Sequence, residues 1–143
     1  MKGMDTMTSK ILCPTDGSDH ATVGVILAAE VSKATGGHLT ICAVNIAHGG
    51  VRGPTISHWK AEDVQKLLAD AEALARSEGA AEVGVTEIVA REAAPAIIAY
   101  AEQNGYTHIV MGTGDKRGLQ RLVLGSVASE VASRAHCTVT IAR

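Results

Sequence analysis

The sequence predicts an α/β domain built on a parallel sheet with helices on both faces, and three observations carry that expectation. Short β-branched runs alternate with longer stretches whose apolar residues recur at three- and four-residue steps. The chain is 46% hydrophobic but only 2% aromatic and has no Phe, so its core must come from Val, Ile, Leu and Ala. Such a composition suits strands buried on both sides under helices. At 143 residues, one core of this kind needs no disulfide or metal staple.

The elements follow in order. Lys10 to Cys13 is a short apolar run stopped by Pro14, and it reads as the first strand. Thr15-Asp16-Gly17-Ser18-Asp19 is a polar turn rich in capping residues, placed just before a helical pattern. Val23, Ile26, Leu27, Val31 and Ala34 mark that helix, and Gly36-Gly37 ends it. His38 to Val44 has the β-branched content of a second strand. Residues 46–58 show no periodicity and carry Gly49-Gly50, Gly53 and Pro54, so a long loop is expected. Val64, Leu67, Leu68, Ala71, Leu74 and Ala75 form the clearest amphipathic helix, closing near Gly79. Val83 to Val89 reads as the third strand. A helix from about Ala94 to Gln103 tolerates Pro95 in its first turn. Thr107 to Met111 is the fourth strand, followed by a glycine-rich segment. A helix with Val127, Val131 and Ala132 then leads to the last strand, Thr138 to Ala142.

Strands alternating with helices imply right-handed crossovers, and such sheets bind ligands beyond the carboxyl ends of their strands. The domain is expected to span 9–143, behind a disordered lead at 1–8. Met1 to Met7 has no hydrophobic stretch after Lys2, so it is not read as a secretory signal. No apolar run reaches the roughly 20 residues of a membrane span, and a net charge of −2 gives no electrostatic drive toward nucleic acid or an acidic membrane. A cytoplasmic location is expected. Cys13, Cys42 and Cys137 lie far apart without metal or redox spacing and read as reduced thiols.

Three stretches follow strand ends: Pro14-Thr15-Asp16, Val44-Asn45, and the segment from Met111 onward. The third runs from Gly112 to Val127. Its glycines permit close backbone approach to an anion, and Gly125-Ser126 precedes a helix whose start offers N–H groups and a positive dipole end. Ser126 is expected as the helix N-cap, and Lys116, Arg117 and Arg121 add positive charge. The same residues also suit a plain glycine turn with an ordinary cap. No P-loop pattern occurs, and Gly112-x-Gly114-x-x-x-Gly118 misses the dinucleotide fingerprint by one residue.

Over nearly its whole length the chain resembles the universal stress protein family. The carriers are Lys10 to Ser18, Ile109 to Thr113, and Gly118 to Val127. The resemblance is to the family's nucleotide-binding branch, whose pattern is G-x-x-G, nine residues, then G-[S/T]. It implies a three-layer flavodoxin-like fold of the adenine nucleotide alpha hydrolase type. That fold has an open parallel five-stranded sheet in the order 3-2-1-4-5. It further implies a homodimer through the last strand, Thr138 to Ala142, and binding of ATP or AMP, with or without Mg2+, in stress adaptation without robust catalysis. Carried over by position, Asp16 hydrogen-bonds the adenosine while Pro14 and Thr15 shape its pocket, and Val44 contacts the adenine. Met111 and Gly112 lie beside the ribose and phosphates, and Gly125, Ser126 and Val127 hold phosphate.

The family pattern places its second glycine at position 115, where this chain has Asp115 and a glycine one residue earlier, Gly114. Three arrangements are open. Gly114 takes the glycine's place with Lys116 and Arg117 offsetting the acid, or Asp115 faces a phosphate-bound metal ion, or triphosphate binding is weakened. The last of these leaves a preference for a shorter nucleotide or for none. Three functions are set against one another: a nucleotide-binding regulator, an interaction protein whose site is left empty by Asp115, and a slow ATPase.

The six histidines show no helical i, i+4 pair and read as surface residues. Trp59 is read as anchoring the 46–58 loop, with a lid over the ligand as the alternative. Neither Ser18 nor Ser126 sits in a G-x-S-x-G elbow, so a serine nucleophile is not expected.

Overall fold

The computed structural model describes residues 9–50, 53, 55–114 and 124–143. In order these form β1 (Lys10–Pro14), α1 (Asp19–Thr35), β2 (His38–Gly49), β3 (Thr55–Ser57), α2 (Ala61–Ser77), β4 (Val83–Ala90), α3 (Ala93–Gln103), β5 (His108–Gly112), α4 (Ser126–Arg134) and β6 (Thr138–Ala142). The parallel strands lie in the order β4-β2-β1-β5-β6. Counting those strands alone, this is the expected 3-2-1-4-5.

The sheet departs from the expected five strands by a sixth, β3, which pairs antiparallel with the far end of β2. The segment 46–58 is therefore not wholly loop. β2 runs on to Gly49, the glycines Gly49 and Gly50 take φ of 78° and 90°, and the chain returns through β3. Ala47 faces Ser57 and His48 faces Ile56. This hairpin extends past the helical layers, so Ile56 is 64% exposed and the arm shows little of the apolar alternation that a half-buried strand displays.

Side chains alternate across the sheet as strand geometry requires. Ile11, Cys13, Leu39, Ile41, Ala43 and Val110 pack toward α1 and α2, with Val25, Ala28, Val64 and Leu68. Leu12, Cys42, Ile109 and Met111 face α3 and α4, with Ile97, Ala101, Ala128 and Val131. Two cores without Phe are filled by branched aliphatics and alanine, and alanine lets the helices sit close.

The closest approach is between α1 and β5. A Cβ on Gly24, in the middle of α1, would lie 2.8 Å from the Gly112 amide nitrogen, and a Cβ on Gly112 would collide with the His20 carbonyl. Two glycines thus allow helix and strand backbones to touch. Among the described residues, no helix is long and apolar enough to cross a membrane.

Candidate functional site

The carboxyl ends of β1, β2 and β5 open onto one crevice of about 210 Å3. Of the residues that the sequence nominates there, ten described ones border it, whereas Asn45 of the Val44-Asn45 stretch does not. From β1 and its turn come Pro14, Thr15 and Asp16; from β2, Val44; from β5 and beyond, Met111, Gly112 and Gly114; from the start of α4, Gly125, Ser126 and Val127. Lys116 and Arg117, with Asp115, lie outside the described residues.

The β1 side is a folded turn. Thr15 N–H donates to the Cys42 carbonyl at 2.8 Å, extending the β1–β2 ladder by one bond. The Thr15 hydroxyl accepts from Gly17 N–H at 3.2 Å, and Gly17 turns the chain with φ of 81°. Ser18 caps α1, its hydroxyl accepting from Ala21 N–H at 3.3 Å, as the capping residues at 15–19 predict. Asp16 accepts from Ser18 N–H at 3.0 Å. Partial desolvation opposes its ionisation. Hydrogen bonds from the Ser18 side chain and backbone, with the electrostatic pull of nearby His20, outweigh that effect and hold the carboxyl below the usual range. Asp16 is thus an anion at neutral pH with its tip exposed, fit to accept from hydroxyl or amine donors.

The β5 side is built on absent side chains. Gly114 has φ of 74°, and its backbone lies against Gly125, where a Cβ would collide with the Gly114 carbonyl. Gly125 N–H donates to the Thr113 carbonyl at 2.7 Å. These contacts bring the first turn of α4 beside the end of β5.

The expected Ser126 cap is corrected. Gly125 is the N-cap residue, no side chain caps the helix, and Ser126 is its first helical residue. Gly125 is extended, with φ −65° and ψ 164°, so the helix begins one residue earlier than the Ser signal suggests. The chemical consequence is that the N-terminal N–H groups and positive dipole end of α4 meet the crevice without a side-chain oxygen as cap.

Several bordering residues carry no site signal in the sequence: His20, Ala21, Ala93, Ile97 and Ala128. Trp59, which reads as a loop anchor with a lid as the alternative, borders the crevice too. Ala93 and Ile97 share the helical face that builds the α3 core, so periodicity alone reads them as core. His20 reads in the sequence as a surface histidine, yet its ring nitrogen Nδ1 lies 3.0 Å from the Ser18 hydroxyl at the crevice edge. Trp59 does hold its loop to the domain, being half-buried and packed on the core beneath α1 and α2. Behind it, Asn45 is 2% exposed. Its Oδ1 accepts from Trp59 N–H at 2.9 Å, and its Nδ2 donates to the Trp59 carbonyl at 3.1 Å and to Glu87 Oε2 at 2.8 Å.

The Cys13 and Cys42 thiols are buried in the two cores. Burial raises the Cys13 thiol to about 12, and burial beside Cys13 raises Cys42 further. Among the described residues no group of three His, Cys, Asp or Glu is placed to hold a metal ion.

The sheet is doubly wound, and the crevice lies where its strand order reverses, between β1 and β5, which is the ligand position of open α/β domains. The family model of the universal stress proteins matches residues 7–143. A universal stress protein from Methanocaldococcus jannaschii is 34% identical over 97% of this chain and 84% of its own length. The chain belongs to the universal stress protein family. Among solved structures, a universal stress protein from Archaeoglobus fulgidus superposes with TM-score 0.74 at 26% identity, covering 95% of this chain and 98% of that one. A structure of the universal stress protein from that organism in complex with dAMP gives TM-score 0.70 at 25% identity, covering 95% and 98%.

Proposed function

We propose that this chain is a stress protein that binds an adenine nucleotide, ATP or AMP, in the crevice at the ends of β1, β2 and β5, and acts through binding rather than turnover. The observation that carries this reading is the Gly114–Gly125 contact, which sets the uncapped start of α4 against an otherwise largely apolar chamber. A phosphate suits the helix start. A base suits the apolar end at Val44 and Met111, and the Asp16 carboxylate suits a ribose hydroxyl or exocyclic amine. At about 210 Å3 the crevice is smaller than sites that enclose a whole drug-sized ligand. It fits a base and sugar held inside with phosphates at the rim. A relative that carries dAMP supports the same class of ligand.

Among the described residues of the glycine-rich pattern, Met111 to Gly114 and Leu124 to Val127, none is a base for activating water, which favours binding over hydrolysis. We assign a second copy of the chain to the outer edge of β6, the strand that ends the sheet order. Magnesium enters with the triphosphate if ATP is the ligand. Calorimetric titration with ATP, ADP and AMP, with and without magnesium, tests the reading. Saturable heat with matching thermal stabilisation is expected; neither at millimolar nucleotide would sink it.

A second reading, an interaction protein with an empty site, rests on Asp115 occupying the family's glycine position. Asp115→Gly separates the two. Binding that appears only in the variant establishes the empty-site reading, and equal binding in both removes it.

A further inference from the structure

The hairpin arm ends in a feature that a merely surface loop does not require. Trp59 stands in the crevice wall near the end of β2, and its main chain is gripped from both directions by one buried amide. Asn45 uses its carbonyl oxygen and one amide proton on Trp59, and the other amide proton on Glu87. A buried polar side chain whose bonds all converge on neighbouring groups fixes position more than it adds stability. The preceding residue is also pinned, His58 N–H donating to the Ile46 carbonyl at 2.8 Å, and its ring sits 5.2 Å from the Trp59 ring at 59°. The result is a half-buried tryptophan whose main chain is held in the crevice wall by a strand-borne clamp.

We infer that Trp59 is a ligand-contacting residue which binds the nucleobase by aromatic contact, and that Asn45 is its positioning residue. This deepens the nucleotide reading and rests on it. It assigns part of the affinity to the base itself, independent of the phosphate-facing start of α4. An indole gains from any π-face of suitable size, so the contact favours purine over pyrimidine mononucleotides through overlap area.

Trp59 is the sole tryptophan of the chain, so all tryptophan emission reports this position. The wild type is titrated with AMP and with ribose 5-phosphate, which lacks the base, by calorimetry and by tryptophan emission in parallel. AMP should change the emission saturably with the calorimetric Kd, and ribose 5-phosphate should leave it unchanged. Trp59→Ala should weaken AMP on the order of tenfold or more without altering ribose 5-phosphate affinity, and Trp59→Phe should restore most of the loss. Asn45→Ala should lower the ratio of AMP to ribose 5-phosphate affinity, whereas a general folding defect weakens both alike.

Calorimetric AMP binding with constant emission and an unweakened Trp59→Ala overturns the role of Trp59 and leaves the nucleotide reading standing. Absence of AMP heat in the wild type overturns both.

Discussion

On the β5 side of the crevice the backbones of Gly112, Gly114 and Gly125 meet their neighbours because side chains are missing. On the β2 side, Asn45 holds Trp59 because a side chain is present. The first wall is intolerant of added volume, since a Cβ would meet backbone atoms that have no rotamer to yield. The second is intolerant of lost polarity, since the amide satisfies an N–H and a C=O that are partly removed from water. One crevice can therefore be broken in two chemically distinct ways.

The largest effect should come from filling the first wall. Gly112→Val places atoms against the His20 backbone and forces α1 away from β5, with an expected loss of about 3 kcal/mol in urea unfolding. Gly125→Val acts more locally. It should disturb the Gly125 to Thr113 bond and weaken AMP by about tenfold or more, at a stability cost of roughly 1–3 kcal/mol. An unchanged AMP affinity in a folded Gly125→Val protein would break the contrast between the walls.

Next in size is Asn45→Ala. It leaves the Trp59 N–H and carbonyl without the amide, so a loss of about 1–3 kcal/mol is expected by denaturant titration. Asn45→Asp should recover part of it, keeping the acceptor for Trp59 N–H while placing a charge beside Glu87.

Asp16 predicts a smaller, pH-dependent effect. Its carboxyl is held below the ordinary value of 3.8 in the folded chain. Its stabilising contribution is therefore complete above that value and is lost as pH falls through the lower folded one. The stability gap between wild type and Asp16→Asn should be constant near neutrality and should narrow only below about 3.8. Urea midpoints taken across the acid range check the sign. The smallest change belongs to Lys66→Ala. This cuts an exposed pair with Asp70 at 2.8 Å and should leave the urea midpoint essentially unchanged.

The two walls also differ in how far they are legible in the sequence. Glycines at 112, 114 and 125, set between a β-branched strand and a helical pattern, announce a backbone approach through their spacing. The parallel order is legible for a related reason: runs such as Ile109-Val110-Met111 are buried on both faces and so stay apolar throughout. Asn45 offers no such pattern. A polar residue late in a strand reads as a strand end, and nothing local says that its partner stands 14 positions later. Gly24 is hidden too, because a helix-interior glycine reads as a weakness until β5 is seen against it. The β3 arm escaped because exposed pairing needs no hydrophobic period. Ser126 misled because a serine beside a helix start is a strong capping signal, while the glycine before it took the cap position.

The central claim, that an adenine nucleotide occupies this crevice, is met most directly by amide chemical-shift mapping of the 15N-labelled protein during an AMP titration. The account predicts saturable shifts concentrated at Thr15, Val44, Gly112, Gly125, Ser126 and Val127, the residues that border the crevice from all three strand ends and the start of α4. A spectrum unchanged at millimolar AMP, or shifts confined to the groove between α1 and α2 around Asp63 and Lys66, would contradict it.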